Sequence, residues 1–269
     1  HWATRQVRQD AEWLPRLAPH LPIAVPEPVA VGLPGCGYPY EWAVHRWLPG
    51  EGAALDRMGD PRRFAVDLAS TVRALWAAPT QGAPAARNRA RPVRDYHAAT
   101  LAAIESARRL IDAAAAAEVW QAALAATPHV GPPVWVHGDL EGNCLVRDGR
   151  LSALVDWGSA CAGDPAVDVQ VIWSPLFTPA TRAVFLEELD VDEATVARSR
   201  GAAVHQACAA LPYYPGAVLW AHGSDREGRD ETADRRTRRL VGQLLAHPDV
   251  GGAPRHGDGA QLGVFRCGS

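Results

Sequence analysis

The chain has 269 residues, 48% of them hydrophobic, and a formal net charge of −3. That supplies a full core for one large domain or two unequal lobes and leaves no basic field for nucleic acid. No apolar run reaches membrane-spanning length, residues His1 to Arg5 lack a signal-peptide core, and five scattered cysteines (Cys36, Cys144, Cys161, Cys208, Cys267) fit neither a disulfide framework nor a zinc site, so reduced thiols in the cytoplasm are expected.

Apolar spacing predicts a helix over Arg5–Leu17, followed by an extended connector over Pro22–Val31 and a turn at Pro34-Gly35-Cys36-Gly37. Tyr40–Leu48 reads as an aromatic-rich strand that ends at Pro49-Gly50. Within it Trp47 reads equally as core or as part of a site. Phe64, Leu68, Val72, Leu75 and Trp76 mark an amphipathic helix from Pro61 to Ala77. Gly82, Pro84 and Pro92 make Gln81–Pro92 a loop, with Arg87, Arg89 and Arg91 expected in solvent. Two alanine-rich helices follow, over Tyr96–Ile111 and Glu118–Ala126.

The next two segments carry the chemistry. Val136–Val146 reads VHGDLEGNCLV and Ala153–Asp168 reads ALVDWGSACAGDPAVD. Cys144–Val146 is apolar, Asp148-Gly149 is a type I′ turn dipeptide and Leu151–Val155 is mostly apolar, which together predict a tight β-hairpin. With Asp148-Gly149 as a two-residue loop, Arg147 opposes Arg150 and Asn143 opposes Leu154. Asn143 and Asp156 then become diagonal neighbours on one face, roughly 7–8 Å apart at the backbone. An amide oxygen and a carboxylate are hard ligands suited to Mg²⁺, with nucleotide phosphates completing the shell. Asp139, in the loop just before the hairpin, is placed to accept a hydroxyl proton. His137 reads as a hydrogen-bonder that fixes this loop, because Asp139 already fills the role of base. Taken singly, His-Gly-Asp is common in turns and Asp-Trp-Gly fits a plain strand end; in order, at hairpin spacing and followed by Gly-Asp-Pro, they suggest a site for metal and phosphate. Ser159 lies in Gly-Ser-Ala-Cys rather than a Gly-x-Ser-x-Gly elbow, and no His-Glu-x-x-His helix exists, so hydrolase readings lack support.

Beyond Asp164, helices are expected over Val167–Trp173, Pro179–Leu189 and Glu193–Leu211, the last capped by Asp192. Asp225–Arg239, with six arginines and five acidic residues, reads as an ion-paired helix face, and glycine-rich Pro248–Gly263 as mobile.

His137-Gly138-Asp139-Leu140, Asn143, Asp156-Trp157-Gly158 and Gly163-Asp164-Pro165 with Asp168 resemble the aminoglycoside phosphotransferase family, small-molecule kinases that share the protein-kinase fold. The resemblance runs from about Glu12–Pro15 to Leu211–Tyr214. It implies an α+β, protein-kinase-like fold whose large lobe is mostly helical and carries the catalytic β-hairpin. Residues 1–48 would be the small nucleotide lobe and hinge, 49–214 the helical catalytic lobe, and 215–269 a poorly matched C-terminal segment. The same resemblance implies that Asp139 is the catalytic base, that Asn143 and Asp156 hold the metal, and that Asp164 and Asp168 brace the catalytic loop. Backbone groups near Arg46, Trp47 and Leu48 would meet the adenine.

Four features depart from the family pattern. Asp139 and Asn143 are separated by three residues where the family usually has four, which demands a tighter loop. Asp10 stands where glutamate is usual on the first helix, and all 27 basic residues are arginine, so any cation that grips phosphate must be arginine. The chain starts near that helix with no glycine-rich strand pair ahead of it, from which a truncated small lobe, weak nucleotide binding and slow turnover are expected. The implied activity is transfer of the γ-phosphoryl of ATP or GTP, with Mg²⁺, to a hydroxyl of a small polar molecule, an aminoglycoside being the acceptor that the resemblance alone suggests. The alternatives are a kinase for another amino alcohol or sugar, of choline, homoserine or fructosamine type, and a non-catalytic kinase-like remnant. Neither a nucleic-acid nor a membrane partner is expected.

Overall fold

The first helix, α1 (Trp2–Leu17), buries Trp13, Leu14 and Leu17 at the spacing of one helical face. The computed structural model that contains it describes residues 2–211; the segments over 225–239 and 248–263, with Tyr214 and Cys267, lie outside the described residues. Strand β1 (Pro28–Gly32) pairs antiparallel with β2 (Trp42–His45), from Pro28 opposite His45 to Gly32 opposite Trp42. Cys36 at φ 50° and Gly37 at φ 82° turn the chain between them, as the Pro-Gly-Cys-Gly sequence requires. The strand is shorter than the expected Tyr40–Leu48, because past His45 a single bond, Arg46 N–H to the Glu27 carbonyl at 2.9 Å, prolongs the ladder. Next, β3 (Glu51–Gly52) crosses to the catalytic hairpin.

Helix α2 (Pro61–Trp76) opens on an Asp60 cap with proline in its first turn and buries Phe64, Leu68, Val72 and Leu75. A 3₁₀ turn over Val93–Tyr96 leads into α3 (His97–Ala107). Asp112 caps α4 (Ala113–Ala125), its carboxylate accepting the Ala115 N–H at 3.0 Å. This cap explains why α3 stops short of Ile111 and why α4 begins ahead of Glu118: an unbroken alanine run hides the boundary that one aspartate sets. Four short strands follow: β4 (Val134–Val136), β5 (Cys144–Arg147), β6 (Arg150–Leu154) and β7 (Cys161–Gly163). They form a β3-β5-β6 sheet and a β4-β7 pair. Helix α5 (Ala166–Val169) runs into a 3₁₀ turn over Gln170–Trp173, then α6 (Pro179–Leu189) and α7 (Glu193–Ala210) close the described chain.

One apolar core joins these layers. It contains Trp13 and Leu14 of α1, Leu68 of α2, Trp120 of α4, Trp135 of β4 and Phe185 of α6. Trp13 and Trp135 meet with ring centroids 5.0 Å apart, fixing α1 to the strand that leads into the catalytic loop. Among the described residues no helix is long and apolar enough to cross a membrane.

Candidate active site

The hairpin turn takes the predicted form: Asp148 at φ 53° and Gly149 at φ 74° supply the two left-handed residues of a type I′ turn. Its register starts as expected, Arg147 opposite Arg150, but slips by one residue at a bulge, leaving Leu145 opposite Ala153 and Cys144 opposite Leu154. Ser152 is the extra residue. Its carbonyl turns away to accept the Ala24 N–H at 3.1 Å, while its hydroxyl donates to the Leu145 carbonyl at 3.2 Å. Asn143 therefore stands opposite Val155, whose N–H donates to its carbonyl at 3.0 Å, and not opposite Leu154. The diagonal relation of Asn143 to Asp156 inferred from an unbroken ladder is corrected accordingly.

Ahead of the hairpin, buried Asp168 organises the loop that carries Asp139. Its two oxygens accept the backbone N–H groups of His137 at 3.1 Å and Gly138 at 2.8 Å. Burial outweighs these donors and pushes its carboxyl up to about 6. His137 is fully enclosed. Its Nδ1 accepts the Asp139 N–H at 3.2 Å, so the proton sits on Nε2, which donates to the Val155 carbonyl at 3.0 Å. Burial pushes His137 down to about 4, which keeps the ring neutral and makes it the loop-fixing hydrogen-bonder read from the sequence. Gly138 sits at φ 80°, and a Cβ there would meet the Ser159 carbonyl at 3.2 Å. The three-residue gap to Asn143 closes as a tight turn: the Asn143 side-chain amide donates to the Asp139 carbonyl at 2.8 Å.

Asp139 points into a polar network. Arg89 approaches both of its oxygens, Nη1 to Oδ1 at 3.2 Å and Nη2 to Oδ2 at 3.3 Å, and Gln206 Nε2 donates to Oδ1 at 3.4 Å. Arg89 Nη1 also donates to the Gly138 carbonyl at 2.8 Å and to Gln206 Oε1 at 2.6 Å, and Gln170 reaches the same Gln206 oxygen at 3.1 Å. Burial raises the Asp139 carboxyl above its ordinary range against the pull of the guanidinium. Arg89 was expected in solvent beside Arg87 and Arg91, and that expectation is corrected. Its loop is pinned over the site by backbone bonds: Ala162 N–H to Pro84, Ala86 N–H to Ala162 and Asp164 N–H to Ala90. Arg91 instead pairs with Asp95 at 3.1 Å.

Asp156, two residues past β6, takes a left-handed conformation at φ 56° and accepts from the Gln6 amide of α1 at 3.4 Å. Asp10, from the next turn of α1, is pushed up to about 7 by burial and by the negative charge of Asp156. The charge of Asp156 acting on Asp10 brings two carboxylates into one neighbourhood, and carboxylate oxygens are hard donors of the kind that suits Mg²⁺. Asp164 serves the frame. Arg198 grips it with Nε to Oδ2 at 2.9 Å and Nη2 to Oδ1 at 3.3 Å, both side chains buried, and reaches the Thr127 carbonyl at 2.5 Å. In the hinge stretch, Arg46 has its N–H committed to Glu27 and its guanidinium paired with the same residue at 2.6 Å. Trp47 is 86% exposed and so is not core, while Leu48 is half-buried.

Sequence reasoning missed Arg89, Gln206, Gln170 and Gln6. Nothing local distinguishes them, since Arg89 and Gln206 lie 50 and 67 positions from Asp139.

The model of the phosphotransferase enzyme family matches residues 1–204. A search of curated protein sequences returns no match. The GDP and kanamycin complex of APH(2")-IIia superposes with a TM-score of 0.65 at 17% identity, covering 91% of this chain and 84% of that one. Macrolide 2'-phosphotransferase MphH from Brachybacterium faecium superposes with a TM-score of 0.53 at 22% identity, over 91% of this chain and 81% of its own. ADP-bound aminoglycoside phosphotransferase APH(2'')-Ib gives a TM-score of 0.53 at 15% identity, over 90% and 83%. At these identities the likeness establishes the fold, protein-kinase-like and α+β. With the family model covering most of its length, the chain belongs to the phosphotransferase enzyme family.

Proposed function

We propose that this chain transfers the γ-phosphoryl group of ATP or GTP to a hydroxyl of a small molecule. The observation that carries this reading is Asp139: a carboxylate of raised pKa, in a loop braced by Asp168 and His137, beside the oxygen donors Asn143 and Asp156. The acceptor hydroxyl oxygen bonds to the γ-phosphorus as the bond to the β,γ-bridging oxygen breaks. The hydroxyl proton passes to Asp139, and the nucleoside diphosphate leaves. Asn143 and Asp156 would hold the Mg²⁺, which when bound neutralises charge on the phosphates. Backbone groups of Trp47 and Leu48, with the Arg46 carbonyl, line the edge offered to the purine, in a small lobe over residues 1–48 set on a catalytic lobe from residue 49. Buried free thiols at Cys144, Cys161 and Cys208 suit a reducing cytoplasm.

GDP- and ADP-bound neighbours support a nucleotide donor. The acceptors named for the neighbours range from kanamycin to macrolides, so the shared element is the hydroxyl. An intact Asp139–Asp168 arrangement speaks against a non-catalytic remnant. The test is release of nucleoside diphosphate from Mg²⁺-ATP or Mg²⁺-GTP over a panel of hydroxylated compounds. Acceptor-dependent release with formation of a phosphate ester is expected; turnover that no acceptor alters would overturn the reading.

A further inference from the structure

Arginines cluster on the side of Arg89 that faces away from Asp139, whose own surface opens on a neighbouring cavity with Gln170 and Gln206. A cavity of about 330 Å³ is lined by Arg5, Arg8 and Gln9 of α1, by Arg87, Asn88 and Arg89 of the overlying loop, and by the chain over 158–161. Its volume falls in the range of small-molecule sites. The one acidic side chain on its wall, Glu12, is already paired with Arg16 at 3.4 Å. Arg8 pairs with Glu41 and Arg89 with Asp139, whereas Arg5 and Arg87 have no acidic partner among the described residues. Two uncompensated guanidiniums and two more with exchangeable partners form a site for anionic oxygens, which guanidinium forks bind with paired hydrogen bonds. Amino sugars, which carry several ammonium groups, meet like charge at the same wall.

We propose that the acceptor of this chain is a small hydroxylated anion, a carboxylate or a phosphate monoester, whose anionic group sits in this arginine-lined cavity. The proposal rests on the phosphotransferase reading and specifies its substrate class. Arg89 lines the cavity and also holds both oxygens of Asp139, so cavity and base share one guanidinium. An anion that engages Arg89 draws it from Asp139 and opens a carboxylate lone pair to the acceptor hydroxyl. Base availability is thereby tied to occupation by the right class of molecule.

The test uses the full chain and its Arg5→Gln/Arg87→Gln double variant; both arginines are exposed, so the fold is retained. Calorimetry with glycerol 3-phosphate and with glycerate separates the phosphate and carboxylate sources, with glycerol as the neutral control. Transfer from Mg²⁺-ATP is then followed over hydroxylated carboxylates and phosphate monoesters of about three to six carbons, a size set by such a small pocket, with glycerol and kanamycin alongside. Anions are expected to bind and to be phosphorylated in preference to glycerol and kanamycin. The double variant is expected to weaken anion binding and raise the acceptor KM at least about tenfold, with kcat little changed. Preference for kanamycin or glycerol overturns the proposal while leaving the phosphotransferase reading in place. So does an acceptor KM for anions that the double variant leaves unchanged, or anion binding without phosphorylation of the anion. Absence of transfer to any acceptor together with absence of Mg²⁺-nucleotide binding overturns both.

Discussion

The place of the Asp139 carboxylate is set by three groups, of which Asp168 and His137 are fully buried and Asn143 is half-buried. Asp168 fixes the two N–H groups ahead of it, neutral His137 fixes its own N–H, and Asn143 closes the turn behind it. Burial holds His137 at about 4 in the native state, against 6.5 in the open chain. The unfolded state takes the proton first, so the contribution of this ring is complete above pH 6.5 and drains as pH falls toward 4, by up to about 3 kcal/mol. Asp168, raised from 3.8 to about 6, has the opposite sign: its contribution is full below 3.8 and is lost as pH rises through 6. Imidazole ¹⁵N shifts should show one Nε2-protonated tautomer with no titration until about pH 4; a midpoint near 6.5 would place the ring in contact with water. Asp156→Ala should abolish most of the Mg²⁺ dependence of nucleotide binding, read by titrating nucleotide with and without Mg²⁺. Unchanged affinity would place the cation elsewhere. Asp139, Asp156, Asp168 and His137 were legible because each lies in a short motif with its own turn chemistry. Arg89 and Gln206 were not, because what makes them special is a fold that brings distant segments together.

Among the elements, termini with a side-chain cap or a demanding turn were the easiest to read. Pro179–Leu189 has its predicted bounds, set by a Thr178–Thr181 capping box, and α7 starts behind its Asp192 cap. The β-bulge left no trace in the hairpin sequence, because its cause is external: the segment around Ala24 pairs with β6 and takes the Ser152 carbonyl out of the ladder. The meeting of α4 and α7 was equally hidden. A Cβ added at Gly201 would stand 2.3 Å from the Ala123 Cβ, so the two helices approach at a site that only glycine fits. Gly201→Ala gains about 1 kcal/mol in helix propensity but overpacks this contact by about 1–3 kcal/mol. A net loss of up to about 2 kcal/mol is expected in urea unfolding, partly recovered by adding Ala123→Gly. A more stable single variant would contradict the close approach.

At the scale of the whole molecule, the helices and the hairpin followed from apolar spacing and turn chemistry, and the protein-kinase-like fold from the family resemblance of the motifs. The folding-back of the loop over 81–92 did not, since a run broken by Pro and Gly and rich in arginine carries the same signature whether it lies in solvent or over a site. The Asp164–Arg198 pair shows what holds these parts in one frame. It links α7 to the start of α5, through the Ala166 N–H at 2.9 Å, and to the Thr127 carbonyl ahead of β4. Arg198→Ala leaves a buried carboxylate without its cation and should cost about 3–5 kcal/mol, read from the denaturation midpoint. A loss below about 1 kcal/mol would mean the pair is dispensable to the frame.

The most direct measurement follows the phosphoryl group itself. Wild-type chain and Asp139→Asn are given Mg²⁺ and ATP labelled with ¹⁸O on the γ-phosphoryl, together with the best acceptor of the panel, and products are resolved by mass. Wild type is expected to deliver the labelled phosphoryl intact to the acceptor hydroxyl. Asp139→Asn should bind nucleotide with little change and transfer at least about a hundredfold more slowly. Label appearing only in free phosphate, or Asp139→Asn transferring at the wild-type rate, would contradict Asp139 as the base of a phosphotransferase.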